Sequence, residues 1–277
     1  MARDRQPLTD APAKKSLGQH FLHDPDILRR TALAAGPVKD RTVIEVGPGP
    51  GGLTRALLEE GAARIIAVEA DQRFADALRA WPDAKTGRLH VYEADARKAD
   101  WQDLIAASGG TEPAMMIANL PYNVGTPLFV EWLKAGTWRG EMALMFQREV
   151  AERICAEPGS KHYGRLAVLV QAVAKPHIAF TLPPGAFRPP PKVESAVAVL
   201  HPLSDGARFG NLETLEAITS AAFSQRRKMI RAALKSFAKA RKIDVAAWLA
   251  AADIQPEARP ETIDQIGWRR LTDAFSG

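Results

Sequence analysis

The sequence predicts an α/β fold, in which a doubly wound and mainly parallel sheet is followed by a small all-helical region. Short apolar or β-branched runs alternate with helical patterns through the first half of the chain, as in consecutive βαβ units. After His201-Pro202 the strand signals stop, and Ala, Leu, Lys and Arg recur at helical spacing. The 277 residues, 46% of them hydrophobic, are enough for one sizeable α/β domain and a smaller one.

Strand and helix signals alternate from residue 24 onward. Asp24-Pro25 provides an N-cap and a proline at the first position of a helix that Gly36-Pro37 ends. A terminal strand pair is predicted from two later apolar runs, 166–174 and 195–200, and the proline-rich residues around Phe187 predict a shaped loop. Between these regions we expect strands at 42–46, 64–68, 89–93, 115–118 and 142–146, separated by helices at 53–60, 73–80, 101–107 and 128–135.

Composition excludes several classes of protein. No apolar stretch approaches the ~20 residues that cross a bilayer, and residues 1–15 are polar, without the apolar centre of a secretory signal. We therefore expect a cytoplasmic protein with no membrane contact. The single cysteine, Cys155, excludes internal disulfides and a CxxC metal site. The six histidines include no ligand pair at helical spacing, so no bound metal is expected.

Basic residues concentrate near the carboxyl end. The net charge is +5, and residues 206–242 hold nine basic side chains against two acidic ones. A solvated helix face is one interpretation of this pattern. However, Arg226, Arg227 and Lys228 lie where the predicted helix begins, and positive charge there opposes the helix dipole. This arrangement, continued by Arg231, favours binding to the phosphates of a nucleic acid.

A glycine-rich turn, Glu45 to Gly51, follows the first predicted strand of the sheet. Its glycines let the backbone turn tightly and approach a ligand, but the G-x-G-x-G spacing differs from that of dinucleotide enzymes. Glu69 ends the next strand and could accept bonds from two ribose hydroxyls, while Asp95 follows the third and could accept one from an adenine amine. A plain turn and surface carboxylates are the alternatives. Because fitting groups follow three successive strands, the pattern favours a ligand that contains adenosine. The glycine spacing indicates that this ligand has no pyrophosphate.

The motif Asn119-Leu120-Pro121-Tyr122 follows the predicted strand at 115–118. It can be interpreted as a strand ending in a turn, because Asn and Pro favour turns by themselves. It can also be interpreted as a pocket for methylating an exocyclic amine, in which the Asn119 side-chain oxygen and a main-chain carbonyl accept the two N–H groups. Its position at the carboxyl end of a strand favours the pocket. With an adenosine-bearing ligand nearby, the pocket indicates S-adenosylmethionine, whose methyl group requires alignment more than a strong base.

Seven blocks, in order, resemble the ribosomal RNA adenine N6-dimethyltransferase family, particularly its bacterial small-subunit type. The resemblance spans about residues 14–270. The blocks are 16–22, 45–51, 119–122, 146–153, 163–166, 187–193 and 223–228.

The resemblance implies a Rossmann-like S-adenosylmethionine-dependent methyltransferase sheet, mainly parallel with an antiparallel terminal strand, and a small all-α carboxyl-terminal domain. The expected parts are a disordered tail at 1–15, a catalytic domain at 16–204 and a helical RNA-binding domain at 205–277. The implied reaction transfers methyl groups to N6 of two adjacent adenines in the 3′-terminal hairpin loop of 16S rRNA, leaving S-adenosylhomocysteine. The implied partner is the immature 30S subunit, with a role in its biogenesis, and we expect a monomer.

The resemblance also assigns the site residues. Tyr122 and Phe187 are expected to stack on either side of the target adenine, although Phe187 alone would be interpreted as a core aromatic. His20 stands where some family members have Asn. The implied catalytic residues are Asn119, Leu120, Pro121, Tyr122 and Phe187, and the implied cofactor contacts are His20, Leu22, Gly47, Gly49, Glu69, Asp95 and Asn119.

Two other functions remain open at this point. One is N6-adenine methylation of a different substrate, either large-subunit rRNA or DNA. The other is a ribosome-assembly checkpoint, in which binding to immature small subunits is the main role and methylation is secondary.

Overall fold

The computed structural model describes residues 12–13, 19–121, 125–134 and 136–275 of the chain. The prediction of a disordered tail at 1–15, apart from Pro12 and Ala13, therefore lies outside the described residues, as does the placement of Tyr122.

The chain forms two compact units. The first comprises Met1–Ala151 and His177–His201, and the second comprises Glu152–Pro176 and Pro202–Gly277.

The strands confirm the predicted mainly parallel sheet. In the described residues they are β1 (Phe21–Leu22), β2 (Thr42–Val46), β3 (Arg64–Glu69), β4 (Leu89–Glu93), β5 (Ala114–Asn119), β6 (Arg139–Gln147), β7 (Ala174–Leu182), β8 (Phe187–Arg188) and β9 (Ser195–Pro202). The main sheet has the order β4-β3-β2-β5-β6-β9-β7, and β1 pairs with β8 in a separate two-stranded sheet. Strands β2 to β6 pair in parallel, and β9 is antiparallel to β6.

Helices of the first unit lie between these strands, as predicted for βαβ connections. The first begins as expected, because the Asp24 carboxylate accepts the N–H groups of Asp26 and Ile27 and Pro25 opens the helix. The helices are α1 (Pro25–Ala32), α2 (Gly52–Glu59), α3 (Gln72–Arg79), α4 (Pro82–Lys85), α5 (Trp101–Ser108) and α6 (Gly125–Lys134), with α7 (Arg148–Ile154) continuing past the end of the unit.

The strand order reverses between β2 and β5. From β2 the chain adds β3 and β4 on one side, and it then returns to place β5 and β6 on the other. Val43 pairs with Met115 and Ile44 with Met116, so the carboxyl ends of β2 and β5 are neighbours. Such a reversal opens a crevice where α/β proteins bind their ligands. Gly47 and Asn119 both lie at this point.

The predicted strand at 166–174 was wrong. Residues Arg165–Gln171 form helix α8, and the strand that joins β9 at the sheet edge is β7, which starts at Ala174. Every residue from 166 to 170 is buried in the helix, so the run is apolar on all sides. A short, continuously apolar run has no period that separates a buried helix from a buried strand. Pro176 is accommodated because β7 is an edge strand.

The second unit is helical, but it includes more of the chain than the residues after the predicted boundary at 205. Helix α8 packs against helices that come later in the sequence, which groups residues 152–176 with them. The predicted continuous basic helix is divided at Leu234 into two short helices. The later helices are α9 (Leu212–Phe223), α10 (Ile230–Ala233), α11 (Lys235–Ala240), α12 (Val245–Ala251) and α13 (Gln265–Asp273).

Candidate active site

The glycine-rich loop after β2 adopts a backbone that requires glycine. Gly47, Gly49 and Gly51 have φ angles of 68°, 53° and 86°, in the left-handed region that side chains disfavour. A Cβ on Gly49 would lie 2.6 Å from the Phe21 ring, and one on Gly51 would lie 2.6 Å from the Trp81 ring. The loop is therefore covered closely by aromatic side chains, a contact that the sequence pattern did not reveal.

Glu69 holds this loop from the end of β3. Its buried carboxylate accepts the N–H of Gly49 at 2.9 Å and that of Asp71 at 2.8 Å. Burial raises the pKa of this carboxyl group above its ordinary value, although these bonds oppose the rise. Each carboxylate oxygen can accept a second hydrogen bond, so Glu69 retains acceptor capacity for ribose hydroxyls.

Asp95 follows β4 and forms a fork with a residue that the sequence reasoning missed. Arg97 donates from Nη2 to Asp95 Oδ2 at 2.6 Å and from Nε to both carboxylate oxygens. Its main-chain N–H adds a bond to Oδ1 at 3.0 Å. The Arg97 side chain lowers the pKa of Asp95 to about 2. Asp95 therefore remains an ionised acceptor throughout the physiological range.

The Asn119 side chain has a fixed orientation. Its Nδ2 donates to the main-chain oxygen of His20 at 2.9 Å. Because a carbonyl oxygen can only accept, the amide nitrogen must face His20, and Oδ1 is left as an acceptor. Pro121 packs against the glycine loop, since its Cδ lies 3.5 Å from the position of a Cβ on Gly47. The carboxyl ends of β2 and β5 are thus in contact through these residues.

Two cavities border Asn119. The smaller, of about 220 Å³, is lined by most of the residues predicted to bind the cofactor. The larger, of about 570 Å³, is lined by Leu22, Glu45 and Arg188, among others. The residues at the smaller cavity include His20, Gly47, Gly49, Glu69, Asp95, Asn119, Leu120 and Pro121.

Phe187, which the resemblance assigns to the target adenine, is buried in this structure. It is only 1% exposed and belongs to the hydrophobic core of the first unit, with Leu22, Leu182 and Val197. It also pairs with Leu22 in the two-stranded sheet of β1 and β8. Neither cavity is lined by Phe187 within the described residues. In this structure its ring is a core side chain, the alternative that the isolated sequence favoured.

Glu45 is a buried acid at the base of the glycine loop that was not assigned a role from the sequence. It is 1% exposed and accepts a hydrogen bond from Thr54 Oγ1 at 2.6 Å. Burial raises its pKa to about 8. The bond fastens the first turn of α2 to β2, which fixes both ends of the loop. The sequence signal that could have indicated this role is a carboxylate two residues before the first glycine of the loop.

The four residues predicted to bind RNA lie in the second unit and have different surroundings. Arg226 donates to the main-chain oxygens of Ser160 and Lys161, so it supports the fold of this unit. Arg231 lies 3.1 Å from a carboxylate oxygen of Glu257. Only Arg227 and Lys228, both exposed, have no ion pair in the part of the chain that the structure describes.

In the described residues, neither Cys155 nor a metal cluster provides a second reactive centre. Cys155 follows α7, is half-buried, and has its pKa raised to about 11 by burial. Over residues 12–13, 19–121, 125–134 and 136–275, no three His, Cys, Asp or Glu side chains are grouped so as to hold a metal ion. Among the helices of these same ranges, none combines the length and the hydropathy needed to cross a membrane.

The fold and site together define a Rossmann-like methyltransferase that uses S-adenosylmethionine. A glycine loop, Glu69 and Asp95 surround one cavity beside Asn119, and this set of donors and acceptors fits the cofactor. The sequence model of the family described as ribosomal RNA adenine dimethylase matches residues 11–263. The chain belongs to this family and is an rRNA adenine dimethyltransferase.

Named relatives and solved structures agree with this membership. The chain is 49% identical to a ribosomal RNA small subunit methyltransferase A from Xanthobacter autotrophicus, over 95% of this chain and 90% of the relative. It is 48% identical to the ribosomal RNA small subunit methyltransferase A of Gluconobacter oxydans, over 94% of this chain and 82% of the relative. A dimethyladenosine transferase from Plasmodium falciparum is similar in structure, with a TM-score of 0.76 and 26% identity, covering 91% of this chain and 96% of that one. The 23S rRNA methyltransferase ErmE is also similar in structure, with a TM-score of 0.66 and 27% identity. The match covers 92% of this chain and 98% of that one.

Proposed function

We propose that this chain dimethylates N6 of two adjacent adenines in the 3′-terminal hairpin loop of 16S rRNA. Relatives named as small-subunit methyltransferases are 46–49% identical, whereas the 23S enzyme ErmE is 27% identical, which favours the small subunit over the large one. We further propose that the substrate is the immature 30S subunit and that the enzyme acts as a cytoplasmic monomer in its biogenesis.

The orientation of Asn119 carries the proposal. Its amide nitrogen is committed to the His20 carbonyl, so Oδ1 can accept an N–H from the target amine. When bound, S-adenosylmethionine supplies an electrophilic methyl group. An acceptor that takes an N–H of the amine concentrates electron density on nitrogen, which otherwise shares its lone pair with the ring. Asn119 thereby turns a weak nucleophile into one that can be methylated without a strong base.

The other residues of the site position the two reactants. Glu69 would accept the ribose hydroxyls, and Asp95 would accept the adenine amine of the cofactor, at the cavity they share with Asn119. His20, Leu22, Gly47 and Gly49 would complete its surroundings. Tyr122 would stack on the target base. Phe187 is buried here, so its stacking on the second face requires its ring to leave the core.

The second unit would bind the rRNA backbone. Arg227 and Lys228 are exposed and follow the end of α9, where charged donors can reach phosphates. Arg226 and Arg231 would contribute less, since both already have acceptors within the unit. We therefore propose Arg227 and Lys228 as the main phosphate contacts among the four.

The test is transfer of tritiated methyl groups from S-adenosylmethionine to unmethylated small subunits, with large subunits as the comparison and the label mapped by nucleotide. Label at two adjacent adenines of the small-subunit rRNA is expected. Label confined to the large subunit, or to another nucleotide, contradicts the proposal.

An Asn119→Ala variant tests the catalytic assignment. Transfer should fall by about a hundredfold or more, as when a positioned acceptor or donor is removed from a reaction centre. Binding to immature particles should be retained, which separates catalysis from an assembly role. His177→Ala, at an exposed position on the edge strand, is the matched control and should transfer methyl groups normally. A normal rate for Asn119→Ala would remove the assignment.

A further inference from the structure

We propose that His20 is a positioning residue that joins the cofactor site to the loop carrying Phe187, so that cofactor and target adenine bind with positive cooperativity. The inference rests on the proposed function of the site. It is carried by two hydrogen bonds of His20 that lead in different directions, and by the strand pairing beside them.

The first bond involves the main chain of His20. Its carbonyl oxygen accepts from Asn119 Nδ2 at 2.9 Å, which sets the direction of the Asn119 amide. A displacement of residue 20 therefore changes the position of the Asn119 Oδ1 acceptor. The same residue lines the smaller cavity together with Glu69 and Asp95. Occupation of that cavity thus restricts the backbone on which Asn119 depends.

The second bond involves the imidazole ring. Nδ1 of His20 lies 2.8 Å from the main-chain oxygen of Pro189. Because the carbonyl can only accept, Nδ1 must carry the hydrogen, whichever state Nε2 adopts. Pro189 lines the larger cavity, which also borders Asn119. The ring therefore connects the walls of the two cavities on either side of the catalytic amide.

The strand register explains how both bonds arise at His20. Phe21 pairs with Arg188 and Leu22 with Phe187, so continuing the antiparallel register by one residue places His20 opposite Pro189. Proline has no N–H, so Pro189 cannot donate to the His20 carbonyl oxygen, which accepts from Asn119 Nδ2 instead. The His20 ring donates in the other direction, to the Pro189 carbonyl oxygen, and links the two strands at this position.

This short ribbon of residues 20–22 and 187–189 borders both cavities, since His20 lines the smaller one and Arg188 and Pro189 line the larger one. Phe21 covers the glycine loop, since a Cβ on Gly49 would lie 2.6 Å from its ring. Phe187, which the resemblance assigns to the target base, belongs to the same ribbon and has its ring in the core. When the cofactor or the target adenine orders the ribbon, the other ligand binds with a smaller loss of conformational entropy. The coupling must be reciprocal, and for allosteric pairs it typically amounts to about fivefold or more in affinity.

The experiment measures this coupling directly. Affinity of the full-length protein for an unmethylated rRNA hairpin with two adjacent loop adenines is determined with and without saturating S-adenosylhomocysteine. We expect the dissociation constant to fall about fivefold or more when the cofactor product is present. The reverse titration should give the same factor.

Three substitutions identify the residue responsible. His20→Leu keeps the bulk but lacks a donor, so the coupling factor should fall to about one, and kcat should fall more than the KM for the cofactor rises. His20→Asn places an amide nitrogen where Nδ1 was and should restore most of the coupling. His177→Ala is again the control. Full coupling in His20→Leu, or none in the unmodified protein, overturns the inference.

A spectroscopic measurement keeps the test independent of how well the variants fold. With ¹⁵N-labelled histidine, Nδ1 of His20 in the unmodified protein should have the chemical shift of a nitrogen that carries a hydrogen. A shift typical of a bare Nδ1 in the folded protein also refutes the inference. Failure of the proposed function gives a different result, namely absence of methyl transfer to small-subunit rRNA. An active enzyme with unaltered coupling in His20→Leu refutes only the role of His20.

Discussion

Replacing Glu45 by Gln should change how stability depends on pH. Glu45 is 1% exposed and accepts a hydrogen bond from Thr54 Oγ1 at 2.6 Å. Glutamine has nearly the same shape and keeps an oxygen that can accept this bond, but it cannot ionise. Burial raises the pKa of Glu45 to about 8, from an ordinary value of 4.5. The variant therefore removes one titration and leaves the packing intact.

The sign follows from which state holds the proton more tightly. Between pH 4.5 and about 8 the folded protein keeps the Glu45 proton and the unfolded chain loses it. Over this window the free energy of unfolding falls by about 1.4 kcal/mol for each pH unit. The stability that the bound proton of Glu45 contributes is fully present below pH 4.5, the pKa in the unfolded chain. It is lost above about pH 8, the pKa in the folded protein. Glu69, whose pKa is also raised, contributes in the same direction in both proteins, so its effect largely cancels in the difference.

Urea unfolding of both proteins from about pH 5.5 to about pH 7.5 tests this reasoning. The free energy of unfolding of Glu45→Gln, minus that of the unmodified protein, should increase by roughly 3 kcal/mol across this range. A difference that stays constant with pH would show that Glu45 ionises as readily in the folded protein as in the unfolded chain. The account of the buried acid would then be refuted.

Three further substitutions test other parts of the molecule. Gly51→Ala combines a φ of 86° with a contact at 2.6 Å and should lower the free energy of unfolding by about 2–5 kcal/mol, whereas Gly87→Ala, with φ 75° and open space, should lower it by only about 1–2 kcal/mol. Thermal unfolding measures which of the two variants is less stable. Equal losses of stability would contradict the close contact of Gly51 with the Trp81 ring. Arg97→Met should raise the pKa of Asp95 from about 2 toward its ordinary value of 3.8, measured by carboxyl NMR titration; an unchanged pKa contradicts the fork. Arg227→Ala should reduce the slope of log affinity against log salt for rRNA by about one, and an unchanged slope would exclude a phosphate contact.

The main sheet was predictable because its strands are short, apolar and separated by capped helices. Glu69 and Asp95 at successive strand ends, with Gly47 before them, could be placed around one cavity from the order of the elements alone. The parallel arrangement brings these ends to the same edge of the sheet. For this part of the site, local sequence signals and topology are sufficient.

Other features depend on packing and on side-chain directions, which a sequence pattern does not contain. The apolar run at 166–174 was assigned to a strand, but residues 165–171 form a helix in the second unit, and residues 166–170 of it are all buried. The fork of Arg97 on Asp95 and the bond from His20 to Pro189 depend on side-chain directions. The isolated sequence favoured a core position for Phe187, but which residues surround its ring there depends on packing. Packing decides each of these outcomes.

The raised pKa of Cys155 has a practical consequence for labelling experiments. A thiol reacts as its thiolate, and with a pKa of about 11 only about one in ten thousand Cys155 side chains is ionised at neutral pH. Maleimides and mild oxidants should therefore modify it slowly. Since it is the chain's single cysteine, a fluorophore or spin label can be attached to a new, exposed cysteine without first replacing the native one.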